Sequence, residues 1–474
     1  MTDWLTTLKE QIEADVTEAQ IPGMAMMVSR NGEVCLEHFS GYRDVKKQLP
    51  VTSDTIFGLA SLTKSVVAVA VMMLQDAGKL QVSDHVVKWL PELKKWNTFY
   101  KQRITIHHLL THTAGLSGMG AFHLARRESI EADADGEYLF GSFTGDHYVY
   151  TVRDLIEAMI KEDAPFVALP GEMFNYSNEG YALLQEIVER ASGEEFASFV
   201  QTSIFQPLGM TRAIFSFDET DNLEDVTELY AFTKEPKEVF HSPAWWGSGA
   251  IYGAGALKAS AKDVQKYVEL FRNDGEVEGV SLVSRESMKE MKHAHVTTPN
   301  GVSYGYGLIV GTHRGYQVIG HGGGVKGISS FMLVCEQEIT ITVLTNIAEV
   351  SAENFAMTTL DVLLKDKIHD SDYNIDKVDT HTMTLPPNML AMYTGIYETN
   401  ERQSVHVTAK ENGLQLQIQQ QSPVHVLPCG DHQFVLPDGK KVTFLLDEEG
   451  AVRGIFRGMR FIQKRSDANG LDNE

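Results

Sequence analysis

Ser61 and Lys64 stand three positions apart in Phe57-Gly58-Leu59-Ala60-Ser61-Leu62-Thr63-Lys64-Ser65, directly before the apolar run 66–74. The pattern predicts a short strand or turn, then a helix that starts at or just before Ser61. On a helix, residues i and i+3 share a face, so hydroxyl and amine would project together. A serine hydroxyl is a weak nucleophile until a nearby base takes its proton, and a lysine made neutral by burial can do that. A helix N-terminus adds a positive field that favours both the neutral amine and a developing oxyanion. The competing role for Ser61 is plainer: an N-cap on a solvated helix. Four residues alone do not choose between the two.

Two further stretches combine reactive side chains with turn or strand signals. Phe174-Asn175-Tyr176-Ser177-Asn178 precedes a helical pattern through Tyr181, Leu184, Ile187 and Val188 that stops at Gly193. His321-Gly322-Gly323-Gly324-Val325-Lys326-Gly327 falls between two strand-like runs, and its glycines let backbone approach a ligand closely. Taken in order, Ser61-Leu62-Thr63-Lys64, Tyr176-Ser177-Asn178 and His321-Gly322-Gly323 resemble the serine β-lactamase and penicillin-binding-protein superfamily. The resemblance is to the branch of class C β-lactamases, D-aminopeptidases and related esterases. Leu109-Leu110-Thr111-His112-Thr113-Ala114-Gly115-Leu116, Pro207-Leu208-Gly209-Met210 and Gly305-Tyr306-Gly307-Leu308 agree with it. It covers about residues 10–350.

That resemblance implies a serine hydrolase acting through an acyl-enzyme on small esters or amides, including peptides with D-residues. It makes Ser61 the nucleophile, Lys64 the group that accepts or relays its proton, and Tyr176 general base in acylation and acid toward the leaving group. A free phenol titrates near pH ~10, so Tyr176 would need neighbouring positive charge, with Lys64 the obvious supplier. Asn178 would bind the acyl side chain or hold Lys64, unless it only caps the following helix. The oxyanion hole would use the backbone N–H of Ser61 and of Gly324. Where β-lactamases proper carry Lys-Thr-Gly, this chain has His321, Gly322 and Gly323. Among these, His321 and Gly323 would meet substrate, and an imidazole is charged only part of the time near neutrality. Penicillin turnover is thereby disfavoured. A β-lactamase or DD-peptidase proper is the alternative, and a non-catalytic binding or scaffold protein the third reading. The latter predicts loss of Ser61, Lys64 or Tyr176, and all three are present.

The elements that must position these groups are legible in outline. Residues 3–19 carry a helical stripe of Leu5, Leu8, Ile12 and Val16, and Asn31-Gly32 sits between apolar runs as in a β-hairpin. Gly78 supplies a helix stop. Residues 104–115 read as a short helix ending at a glycine, with His107, His108 and His112 structural rather than metal-ligating. The acidic, Gly-rich segment 117–150 reads as a long loop over one face. Trp245, Trp246 and Tyr252, in a Gly-rich stretch without phosphate-loop order, are candidates for a pocket wall. Runs at 304–310, 316–319, 330–334 and 340–345 predict an antiparallel sheet, and 352–365 a final helix. The expected fold is α+β: an antiparallel sheet flanked by helices with an all-helical subdomain, plus a small C-terminal β-barrel. The expected boundaries are a hydrolase domain over 1–365, a polar linker over 366–387 and a barrel over 388–474. Tyr393-Thr394-Gly395-Ile396-Tyr397 resembles the opening of the lipocalin-like domain of some such hydrolases, where it covers the site or builds oligomers.

Composition narrows the partners. With 474 residues, two or three folding units are expected. The 41 Lys and Arg against 64 Asp and Glu leave a formal charge of −23, which repels phosphate backbones and anionic membrane surfaces. Neither nucleic acid nor membrane is an expected partner; the partner is a small ester, amide or peptide substrate, with a homo-oligomer left open. Cys35, Cys335 and Cys429 are scattered, without disulfide framework or metal spacing. No cofactor or metal is implied. The acidic N-terminal residues lack a secretory apolar core, so a cytoplasmic location is expected.

Overall fold

The computed structural model describes residues 3–465 apart from 97–98, 118–119, 144, 164–165, 217–222, 337, 366–381, 400–403 and 419–421. Strands β1 (Gly23–Arg30) and β2 (Glu33–Asp44) pair antiparallel around Asn31 and Gly32, whose φ angles are 55° and 85°. Positive φ at both central residues is what a tight hairpin turn of this hand requires. With β3 (Leu49–Pro50), β4 (Val296–Thr297), β5 (Ser303–Tyr304), β6 (Ile309–His313), β7 (Tyr316–Val325), β8 (Ile328–Cys335) and β9 (Ile339–Thr345) they build one antiparallel sheet. Its order is β4-β5-β6-β7-β8-β9-β1-β2-β3.

Alternation along β1 divides two cores. Met24, Met26 and Val28 face helices α1 (Asp3–Glu18) and α5 (Ala352–Leu364), while Ala25 and Met27 face a larger helical layer. That layer holds α2 (Thr63–Asp76), α3 (Asn178–Ser192) and α4 (Ala261–Arg272). The run from Val66 to Met72 is buried on every side, so α2 is a central helix rather than a solvated one. Gly307, at φ 68°, lets the chain lie against the start of α2: a Cβ there would stand 2.8 Å from Lys64 O.

Helical conformation begins at Ala60, just before Ser61 as expected: a 3₁₀ turn, Ala60–Leu62, runs into α2 at Thr63. Two expectations need correction. The segment 117–150 is not one long loop; it contains short helices Gly120–Leu124, Arg127–Ala132 and Gly136–Leu139. Its Asp133 carboxylate accepts from Lys326 Nζ (2.6 Å) and Trp246 Nε1 (2.8 Å), all three groups drawn from distant parts of the chain. The glycines after His321 are not between strands but inside β7, paired Gly322 to Phe331, Gly323 to Ser330 and Gly324 to Ser329. Glycine lowers local strand preference, but ladder pairing to the wholly buried β8 outweighs it.

At the C-terminal end, β10 (Gly395–Glu398), β11 (Ser404–Lys410), β12 (Gly413–Ile418), β13 (Val424–Gly430), β14 (Gln433–Val435), β15 (Lys441–Leu446), β16 (Val452–Arg457) and β17 (Arg460–Lys464) close into a barrel. Its interior is apolar, centred on Tyr397, Leu414, Phe434 and Phe444. Of the expected linker, 366–381 lies outside the described residues, and Pro387 already opens a short helix, Pro387–Met392. Among the described residues no helix is long and apolar enough to cross a membrane.

Candidate active site

Ala60, immediately before the nucleophile candidate, has φ 46°, an unusual angle for a residue with a side chain. The 3₁₀ turn that follows carries Ser61 to the start of α2, and Lys64 lies one turn on with its side chain wholly buried. Lys64 Nζ is 3.2 Å from Ser61 Oγ and donates to Asn178 Oδ1 (2.9 Å) and the Ala254 carbonyl (2.6 Å). Burial holds its pKa well below the lysine range; the Arg460 and Arg126 charges act the same way, and Glu179 opposes them. Tyr176 enters from the segment before α3, its ring 4.8 Å from Lys64 Nζ and its side chain hydrogen-bonded to Ser61. Burial raises its pKa, and Ser61 and Arg460 offset only part of that. The phenol therefore stays protonated, whereas the sequence had suggested that nearby charge would ionise it.

Ser177, not Asn178, caps α3: its hydroxyl accepts from Gly180 N (3.1 Å). Asn178 is thus free of the capping role and holds Lys64. Strand β7 runs beside the Ser61 turn. A Cβ on Gly323 would stand 3.0 Å from Ser61 N and collide with Leu59 O, so only glycine allows this approach. Gly324 follows on the same strand, in register with Ser329.

His321 is placed at the site but in a different state from that expected. Its Nδ1–H donates to its own neighbour's carbonyl, Gly322 O (2.6 Å), leaving Nε2 to accept from the Tyr304 hydroxyl (3.0 Å). Burial, then the Lys64 charge, pulls its pKa down to about 3. It is a neutral imidazole with both nitrogens engaged, so it offers a substrate carboxylate no charge.

His112, read from the sequence as structural, has a more specific place here, and a second residue, Arg460, escaped the sequence reading. His112 lies with its ring 4.2 Å from that of Tyr176 and accepts from Ser177 N through Nδ1 (3.1 Å), which orients the tyrosine segment. Only its position in Leu110-Thr111-His112-Thr113 hinted at this. Arg460 comes from the barrel. The β16–β17 turn reaches onto the site: Tyr176 N donates to Met459 O (3.0 Å), and Phe461 N to Asn175 Oδ1 (2.8 Å). Phe456 and Phe461 pack with Phe174 and Tyr304, and the Arg460 guanidinium sits 5.8 Å from the Tyr176 ring centre. No signal in the sequence linked residue 460 to residue 176. Among the described residues no group of His, Cys, Asp and Glu is arranged to hold a metal ion.

A profile of the family described as Beta-lactamase matches residues 8–364. The chain belongs to the Beta-lactamase family. Penicillin-binding protein 4* of Bacillus subtilis (strain 168) is 27% identical over 444 residues, 90% of each chain. The octameric penicillin-binding protein homologue from Pyrococcus abyssi superposes with a TM-score of 0.68 at 26% identity, covering 98% of this chain and all of that one. The D-amino acid amidase from Ochrobactrum anthropi SV3 shares the fold at TM-score 0.62 and 20% identity, over 77% of this chain and 99% of that one.

Proposed function

We propose that this Beta-lactamase-family chain is a serine hydrolase that cleaves small amides or esters through an acyl group carried on Ser61. The carrying observation is the bonding of Lys64. A lysine ammonium has three N–H donors; the neutral amine has two donors and one lone pair. Asn178 Oδ1 and Ala254 O take two N–H groups, and the remaining position faces Ser61 Oγ. With the pKa lowered by burial, that position is a lone pair aimed at the hydroxyl proton.

The reaction then runs as follows. Ser61 Oγ attacks the carbonyl carbon while its proton passes to Lys64. Backbone N–H groups of Ser61 and Gly324 receive the oxyanion. As the tetrahedral adduct collapses, the carbon–nitrogen or carbon–oxygen bond breaks and Tyr176 protonates the departing atom, regaining a proton from the Lys64 ammonium. Water, activated by the same pair, releases the acyl group. Amides of D-amino acids belong in the first screen because the D-amino acid amidase named above has this fold. The neutral His321 speaks against penicillins as good substrates. Labelling with a fluorophosphonate tests the reading: wild type is expected to label and Ser61→Ala to lose the label. Equal labelling of the variant would sink the assignment.

A further inference from the structure

Beside the Ser61 turn lies a cavity of about 380 Å³, lined by Ala60, Arg126, Trp245, Trp246, Tyr252 and Lys326 among others. Its walls continue the catalytic elements. Ala60 precedes the nucleophile, Gly255 follows the carbonyl that holds Lys64, and Val325 follows Gly324. Tyr176 and the Met459–Phe461 turn do not line it. On the proposed reaction, Tyr176 protonates the leaving group, which places the leaving group on the barrel side. The acyl chain then extends to the other side, into this cavity.

The charges in the cavity are unequal. Lys326 is neutralised by Asp133 at 2.6 Å and also donates to Ala244 O. Lys258 is turned onto the carbonyls of Phe215 and Ala256. Arg126 differs from both. Its Nε is cut off from solvent and has no hydrogen-bond partner, and its guanidinium rests 5.1 Å from the Phe122 ring centre. Burial pulls its pKa down to about 10, and no carboxylate is near enough to offset that. A half-buried guanidinium without an acid partner is well placed to take the carboxylate of a ligand.

We propose that this cavity is the acyl subsite and that Arg126 selects acyl groups ending in a carboxylate, their carbon chains lying against Trp245, Trp246 and Tyr252. The inference rests on the acyl-Ser61 reading above. It also sets a limit on that reading: an acyl group carrying a free ammonium, as an amino acid amide does, would meet a like charge.

The test uses the full chain and three p-nitroanilides of equal chain length, glutaryl, pentanoyl and 5-aminopentanoyl. Wild-type kcat/KM is expected to fall in that order. A guanidinium–carboxylate bond in a partly enclosed cavity corresponds to about a 10- to 100-fold preference. In Arg126→Gln the glutaryl-to-pentanoyl ratio is expected to fall by at least about tenfold, and in Arg126→Glu the 5-aminopentanoyl substrate is expected to overtake the glutaryl one. Ratios are read rather than rates, so a general loss of activity does not mimic the result. Absence of charge preference in wild type, or an unchanged ratio in Arg126→Gln, overturns the subsite while fluorophosphonate labelling of Ser61 still stands. Failure of Ser61 to label removes the parent reading and the subsite with it.

Discussion

On the proposed reaction Tyr176 and Lys64 divide the proton work, and the division has measurable consequences. Tyr176 is needed where the leaving group cannot depart as an anion. Tyr176→Phe is therefore expected to lower kcat/KM on anilides by about 10²- to 10⁴-fold, the usual range for a general acid. On p-nitrophenyl esters, whose leaving group departs without a proton, the loss should be much smaller. Equal losses on both substrate types would take the acid role from Tyr176. Lys64 must be neutral to accept a proton, so kcat/KM on an uncharged substrate rises with pH as the amine loses its own. Burial is the largest cause of its low pKa, and Arg460 comes next. Arg460→Gln removes a positive neighbour, raises the Lys64 pKa and is expected to move the acid limb of kcat/KM to higher pH. A pH profile with an unmoved acid limb would show that the barrel turn does not act on Lys64.

Elements explain which of these groups the sequence revealed. Ser61, Lys64 and the β1–β2 hairpin were legible because their meaning is local: one helical turn, one Asn-Gly pair. The β7 glycines were legible as a site but not as strand, because the ladder to β8 that makes them strand lies outside the local pattern. The segment 117–150 was misread for a related reason. Its short helices are held by Asp133, which is nearly fully buried together with Lys326 (side-chain exposures 2% and 3%). No spacing rule relates residue 133 to 326. That pair supplies a prediction at this scale. Lys326→Met leaves a buried carboxylate with only Trp246 Nε1 and backbone as partners, and should cost about 3 kcal/mol in denaturant unfolding. Adding Asp133→Asn to the same chain should restore much of the loss. If the double variant were no more stable than the single one, the charge would not be what holds the segment.

At the scale of the whole molecule, the barrel supplies a wall and a charge to a site built by the other end of the chain. The resemblance implied that such a barrel covers the site or builds oligomers, but not which residues would reach it. The turn at Arg460 meets the Tyr176 segment through the Tyr176 N–Met459 O and Phe461 N–Asn175 Oδ1 hydrogen bonds and the packing of Phe456 and Phe461 on Phe174 and Tyr304. The same packing buries His112 and His321 as neutral rings, with pKa values lowered first of all by burial. The folded chain refuses protons that the unfolded imidazoles accept below pH ~6.5. Their contribution to stability is therefore complete above that pH and declines as pH falls. From pH 6.5 to 5 the loss is about 3 kcal/mol for the pair, a large share of a typical folding free energy. Net charge acts in the opposite direction, since acidification relieves the mutual repulsion of a chain at −23. In 1 M salt the Debye length is about 3 Å, so surface repulsion is screened while buried groups are not. Denaturant midpoints measured in 1 M salt are expected to fall steadily from pH 6.5 to 5, and His321→Gln to remove about half of the slope. A midpoint that stayed flat over this range would mean that neither ring resists protonation in the folded chain. The barrel-capped site would then be far more open to water than its packing implies.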